Sequence, residues 1–320
     1  MKKILMASTM LVATAGMAAA DITFDGFGRF GIVYNDGADD DGDRSDTQLD
    51  QRFRLNVVGT TETDGGVEFR ARLRLESNDN GDGQGSGGGN VVEAPEFGVR
   101  AGGFNVFLGN TSDLIDSGDV VDYYGNGIGL TDFAETSSNF VTGDVISGIN
   151  GGDDIDPTIK TSYTVGDFTF GASYSDNALD SATEEYQIGL GYKFGNYGVG
   201  AAFGNVDGGD FDDTDFWALS FNGDLGSFAF SLLAADSDDQ DDVALGASIA
   251  VPVGAATDVR FVVSDNGLDS SDSFAATKGD DTAYAIGFRH SLGGGVRLQG
   301  GIGENSLGDT VGDLGVIFNF

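Results

Sequence analysis

Arginine recurs at every second position in two short stretches, Arg52 and Arg54, then Arg70, Arg72 and Arg74. On an extended strand that spacing sends each set to one face. The opposite faces carry Phe53, Leu55 and Val57 in the first stretch and Phe69, Ala71, Leu73 and Leu75 in the second. Arg29 and Arg100 fit the same side, with Phe30 and Val99 opposite, although Phe27 and Val33 break the alternation around Arg29. Seven arginines thus fall on the first four candidate strands, a density the rest of the chain does not approach. Guanidinium groups stacked this way repel unless counter-charges or water reach them. Fixed rows of charge of this kind orient water and polar solutes rather than break bonds.

The counter-charge is expected from the segment between about Asn110 and Asp156, which contains Asp113, Asp116, Asp119, Asp122, Asp132, Glu135 and Asp144. The same segment holds Val120, Val121, Tyr123, Tyr124, Ile128, Leu130, Phe133 and Phe140. A connection this long without strong element signals is commonly functional, and a free external loop has no use for those apolar groups. It is expected to fold inward against a wall with its carboxylates facing the arginines. In the competing reading the arginines simply pair with those carboxylates and hold the segment in place.

Enzymatic chemistry finds little support. The single histidine, His290, shares a strand face with Tyr284, Ile286 and Phe288, which suits a lipid boundary better than a catalytic triad. No G-x-S-x-G occurs, no lysine follows a glycine as a phosphate loop requires, and no His/Cys cluster can hold zinc. The acidic tracts Asp39–Asp41, Asp212–Asp213, Asp238–Asp239 with Asp241–Asp242, and Asp280–Asp281 could bridge calcium to each other or to lipopolysaccharide phosphates. None has the spacing of a calcium-binding loop, and a merely solvated surface explains them as well.

The elements that position these residues read as strands. In Glu185–Phe194, Tyr186, Ile188, Leu190, Tyr192 and Phe194 fall on one face and Glu185, Gln187, Gly189, Gly191 and Lys193 on the other. Extended over the chain, this alternation gives sixteen candidate strands beginning near residues 22, 49, 67, 95, 103, 158, 167, 185, 197, 215, 227, 242, 257, 282, 295 and 311. Short glycine-bearing turns alternate with longer acidic connections, among them 35–48, 77–94 and 110–157. Trp217 lies in step with Leu219 and Phe221 on an apolar face, and the last strand carries Leu314, Val316, Phe318 and Phe320 on one side.

Residues 1–20 have the layout of a secretory signal, with Lys2 and Lys3, an apolar stretch from Ile4 to Met17, and Ala18–Ala20 before Asp21. Removing the two signal lysines leaves 14 Lys+Arg against 52 Asp+Glu, a net charge of −38, which argues against a nucleic-acid partner. There is no cysteine for a disulfide framework. No later segment approaches the roughly 20 apolar residues of a spanning helix. The opposite faces of the strands are too polar and glycine-rich to form a second packed layer. A closed barrel in lipid resolves this, pairing every backbone group while apolar positions meet acyl chains and polar positions meet water. Sixteen to eighteen strands is the size class that leaves an aqueous channel. An outer-membrane barrel over residues 21–320 is therefore expected. Its rivals are a substrate-selective channel of the same class and a secreted acidic calcium-binding adhesin or surface-layer protein.

Over its whole mature length the chain resembles the Rhodobacter-type general porins of alphaproteobacteria. The resemblance is carried by the order and spacing of Ile22–Tyr34 (ITFDGFGRFGIVY), Arg52–Asn78 (RFRLNVVGTTETDGGVEFRARLRLESN), Gly103–Asp113 (GFNVFLGNTSD), Tyr163–Ser175 (YTVGDFTFGASYS) and the closing GVIFNF. It implies an all-β, 16-stranded antiparallel transmembrane barrel with its third loop folded into the lumen. It also implies a homotrimer in outer-membrane lipid and lipopolysaccharide, and passive diffusion of small hydrophilic solutes and ions without a required cofactor. Acid at the mouths set against the arginine wall leads to an expected weak cation preference.

Overall fold

Alternation of side chains with a period of two dictates a sheet whose faces differ, and the computed structural model shows that sheet closed on itself. It describes residues 20–39, 45–78, 89–137, 157–177, 183–208, 211–238, 240, 242–270 and 279–320. The expected signal, apart from Ala20, and the expected positions Asp40, Asp41, Phe140 and Asp144 lie outside these residues, as do Asp239 and Asp241. The strands are β1 (Asp21–Asn35), β2 (Thr47–Glu62), β3 (Glu68–Asn78), β4 (Gly89–Val92), β5 (Glu96–Ala101), β6 (Phe104–Gly109), β7 (Thr158–Val165), β8 (Phe168–Asn177) and β9 (Thr183–Phe194). They continue with β10 (Tyr197–Gly208), β11 (Phe211–Asp224), β12 (Ala229–Ser237), β13 (Ala244–Pro252), β14 (Thr257–Asp265), β15 (Ala283–Gly293), β16 (Val296–Glu304) and β17 (Thr310–Asn319).

Each strand runs antiparallel to its neighbour. β4 and β5 both pair with β3, along Leu75–Asn78 and Glu68–Arg72 respectively. They are two halves of one stave, so the barrel has sixteen staves as expected. Residues 77–94 are expected to be loop throughout, but Gly89–Val92 extends the fourth stave. The break falls at Pro95, which has no N–H to give to a ladder. A break of this kind re-aims a side chain; here it buries Glu93 beside Arg74. Strand starts otherwise agree within four residues, the largest difference being β11, expected near 215 and observed from Phe211.

Closure is made by β1, which pairs with β2 on one side and β17 on the other; Phe30 lies opposite both Gln51 and Val316. The seam ends in two backbone bonds between Gly26 and Phe320, each 3.1 Å, and the Phe320 ring stacks on Phe53 at 5.7 Å. Outside, Ile22, Phe24, Phe30, Tyr186, Ile188, Leu245, Ile286 and Leu314 are among the exposed apolar side chains, while Glu185 and Gln187 on the opposite face of β9 are buried. Trp217 and His290 stand on the outer parity expected of them. The His290 ring nitrogen Nδ1 lies 2.7 Å from Thr257 Oγ1.

The inner face is only partly a water face. From Asn110 the chain enters the barrel as a strap, and the polar groups of the wall satisfy its backbone. Leu114 N donates to Ser173 Oγ, Ile115 N to Gln187 Oε1, Asp122 N to Ser220 Oγ and Asn126 N to Ser248 Oγ, at 2.8–3.1 Å. Further on, Gly129 O accepts from Gln299 Nε2 and Thr131 N donates to Asp313 Oδ2. The apolar residues that made a free loop implausible are buried here. Leu114, Ile115, Val120, Val121 and Tyr123 pack on Ala202, Phe216, Ala218, Leu233 and Ala235, and Ile128 on Val262 and Ala285.

Inner-face glycines let the strap approach this closely. A Cβ at Gly200 would lie 1.8 Å from the Val120 carbonyl oxygen, and one at Gly246 would lie 1.9 Å from that of Thr136. Gly200→Val is therefore expected to cost about 1–3 kcal/mol by overpacking. The loss would be read as a lower midpoint for urea unfolding in detergent, and an unchanged midpoint would contradict the docking described.

Candidate functional site

The described contacts of residues 111–137 with the wall fall on β7 to β17 and on β1, where Leu130 sits against Gly31. Among the described residues this leaves β2 to β6 as the sector the strap does not cover beyond its root, where Asn110 accepts from Arg72 Nη2 at 2.9 Å and donates to Glu93 at 2.9 Å. The arginines found from sequence stand on that sector and on β1 beside it.

Period two puts Arg52 and Arg54 of β2 and Arg70, Arg72 and Arg74 of β3 on the inner face, and register staggers them. Arg54 lies opposite Glu76, Arg74 opposite Asn56 and Arg70 opposite Thr60. Arg29 and Arg52 are directly opposite each other across β1 and β2, an unfavourable juxtaposition without counter-charge. The counter-charge is local. Asp50 holds Arg29 through two hydrogen bonds of 2.9 and 3.0 Å. Glu76 bridges Arg52 Nη2 at 2.5 Å and Arg54 Nε at 2.6 Å. Glu96 binds Arg70 and Arg72, the latter at 3.0 Å, and Glu93 lies 3.4 Å from Arg74. Six arginines thus share four carboxylates, leaving two positive charges in surplus.

Phe27, which broke the alternation in sequence, turns inward as a plate for two of these groups. The Arg54 and Arg52 guanidinium carbons lie 5.3 and 5.9 Å from its ring centre, a cation–π arrangement. The arginines are not equivalent. Side chains of Arg52 and Arg54 keep 24% and 23% of their surface open, whereas Arg29 and Arg74 keep 7%. Arg100 shares the inner parity but stands apart at the short-turn end, 3.5 Å from Glu68.

Of the carboxylates expected to oppose this wall, the six described ones have separate surroundings. Asp119 pairs with Lys160 of β7 at 3.0 Å and Asp132 with Arg289 of β15 at 2.7 Å. Asp116 accepts from the Tyr124 hydroxyl, and Asp122 accepts from Asn222 Nδ2 at 2.8 Å. Asp113 is buried, accepts from Asp116 N at 2.8 Å, and has Glu185 and Lys160 as charged neighbours. Burial pushes its carboxyl up to about 7. Glu135 is raised well above the usual carboxylate range by burial and by Asp132. None of the six forms a described ion pair with Arg52, Arg54, Arg70, Arg72 or Arg74. The strap is clamped by basic residues elsewhere on the wall, Lys160 and Arg289.

Several members of the site were not named from sequence. Glu76 shares the face of Arg72 and Arg74, and Glu96 that of Arg100, so parity alone could have found them. Arg260, Arg289 and Arg297 lie far along the chain, but closure carries β14 to β16 close to β1; Arg297 and Arg29 both lie opposite Ile317. Among the described residues no group of three or more Asp, Glu, His or Cys side chains is gathered as a metal site would require.

Two outcomes follow from these pairs. Asp50→Ala leaves Arg29 buried without its carboxylate and is expected to destabilise the barrel by about 3–5 kcal/mol, measured by urea unfolding; a loss below about 1 kcal/mol would show the pair to be dispensable. Asp113 binds its proton more tightly folded than unfolded, so its contribution to stability falls as pH rises from roughly 4 to about 7 and is level above that. Asp113→Asn is expected to remove that slope from the unfolding profile.

Against known proteins, residues 7–310 match the family model for Gram-negative porins. A porin of Fuscovulum blasticum is 32% identical over 311 residues, covering 94% of this chain and all of the relative, and a porin of Rhodobacter capsulatus is 28% identical over 334 residues with the same coverage. A mutant of Rh. blastica porin has a superposable structure, with TM-score 0.76 at 27% identity over 94% of this chain and all of that one. The closed sixteen-stave sheet, its apolar exterior and its inward strap agree with these likenesses: the chain belongs to the Gram-negative porin family and forms a water-filled channel of the outer membrane.

Proposed function

We propose that small hydrophilic solutes and ions diffuse through the gap between the arginine sector and the free side of the strap. The observation that carries this reading is the one-sided docking: the strap covers the inner wall from β7 round to β1, and the sector without it carries the partly open Arg52 and Arg54. Across the gap, Asp119 and Asp132 are the exposed carboxylates of the strap, with Asp116, Asp122 and Glu135 half-buried. Opposed fixed charges create a transverse field in which water and polar solutes can orient, while an apolar solute must displace ordered water. Arg29, Arg74 and Asp113 support this constriction from behind, and Arg100 belongs to the short-turn vestibule.

Export follows from cleavage of residues 1–20 and assembly as a homotrimer from family membership, with the barrel set in lipid and lipopolysaccharide. Calcium bound by the acidic external connections would add to assembly rather than to passage. A surplus of two positive charges at the wall is outweighed by the acid of the mouths, with the mature chain at −38 once Lys2 and Lys3 leave. The channel is therefore weakly cation-preferring. The reversal potential across a planar bilayer in a KCl gradient reads the sign. Arg52→Gln with Arg54→Gln is expected to raise the cation-to-anion permeability ratio about two- to five-fold, the order that removing two partly screened charges allows. An unchanged ratio would place the conduction path elsewhere.

A further inference from the structure

Arg260, Arg289 and Arg297 form a second basic corner, on β14, β15 and β16. All three point inward, in step with Gln299 and Asp313, whose side chains meet the strap. Arg260 Nη1 and Arg289 Nη2 donate to the same acceptor, the Gly127 carbonyl oxygen, at 3.1 and 3.2 Å, which fixes their guanidinium groups close together. Arg289 lies opposite Gln299 on β16, so Arg297, two residues before Gln299, is its diagonal neighbour at roughly 7–8 Å between backbones.

Three guanidinium groups this close require counter-charge, and the wall supplies too little. Asp258 pairs with Arg260 at 2.6 Å and Asp132 with Arg289 at 2.7 Å. Arg297 has no ion pair or hydrogen bond to its guanidinium among the described residues, and its Nε and that of Arg289 are buried without an acceptor. The nearest arginine on the other side, Arg29, is already neutralised by Asp50. Arg297 is the second residue of β16, one step from the Gly293–Gly295 turn, and so lies on the short-turn side of the strap. The corner thus keeps one uncompensated positive charge on a planar group suited to two-pronged recognition of a carboxylate or phosphate.

We propose that Arg297, with Arg289 beside it, is an anion-docking station on the short-turn side of the constriction, the side that faces the periplasm in outer-membrane barrels, which holds the carboxylate or phosphate of a dissolved solute during passage. This rests on the channel reading for its role in passage, but not for binding itself. The ligand is a dissolved anion, because the inward orientation of all three arginines excludes lipid headgroups.

Citrate is the probe, used on the purified full-length mature protein in two measurements. In planar bilayers in KCl, citrate is expected to reduce single-channel current in a saturable manner. Arg297→Gln is expected to raise the half-blocking concentration about tenfold, the order of one charge-assisted contact, with the current in KCl alone little changed. Titration calorimetry in detergent is expected to show the same weakening of citrate binding, and Arg297→Lys to retain part of the affinity. Block and binding that survive Arg297→Gln but vanish in Arg52→Gln would overturn the station and leave the channel reading intact. Absence of citrate binding to the unmodified protein would overturn it as well. Binding that depends on Arg297 in a protein that does not conduct would uphold the station and sink the channel reading instead.

Discussion

Everything in this molecule depends on the pairing of β1 with β17. In lipid an unpaired strand edge leaves backbone N–H and C=O groups with no partner, and each such group is costly. A sheet of sixteen staves has only two edges, and the ladder from Phe27–Asn319 to Asn35–Val311 removes both. Closure also has a chemical consequence. It brings arginines from opposite ends of the chain to one arc of the inner wall, so that the basic belt runs from Arg260 through Arg297 and Arg29 to Arg74.

A closed ring of this size would otherwise enclose water around its whole circumference. The strap divides that circumference. Where the inner face offers glycine, serine and small apolar side chains, the segment from Asn110 packs as it would in a soluble core, its backbone donors met by Ser173, Ser220 and Ser248. Where arginines crowd on β2 and β3, burial would strand charge, and past Asn110 no described contact of the strap reaches them, whereas Arg260 and Arg289 meet it through Gly127 O and Asp132. On the arginine sector Arg52 and Arg54 keep about a quarter of their side-chain surface open, since charges of this kind are costly to cover. The glutamates of the same strands hold those charges in place without cancelling them.

Much of this was legible from residue order. Period two fixed which side chains point inward, including the five arginines of β2 and β3, and the apolar content of the segment after Asn110 announced that it could not hang free. Partners were less legible. That Glu76 meets Arg54 depends on the register of β2 against β3, and that Glu93 reaches Arg74 depends on the bend at Pro95; neither has a signal in one strand alone. From residue order the strap carboxylates are expected to face the arginine wall, since opposite charges attract. Asp119 and Asp132 instead found Lys160 and Arg289, which only the closed barrel brings within reach. Phe27 taught the converse: a residue that breaks a pattern marked the place where two guanidinium groups rest.

The central claim is that water and solute pass along the arginine sector and not behind the strap. The chain contains no cysteine, so single cysteines report without background. A membrane-impermeant thiol reagent applied to the folded protein tests it at Asn56→Cys, among the arginines of β2, and at Ala202→Cys, on β10 beneath the strap. The account predicts rapid modification and a fall in single-channel current at Asn56→Cys, with Ala202→Cys unreactive until the protein is unfolded. Rapid modification and current loss at Ala202→Cys, with Asn56→Cys protected, would contradict it.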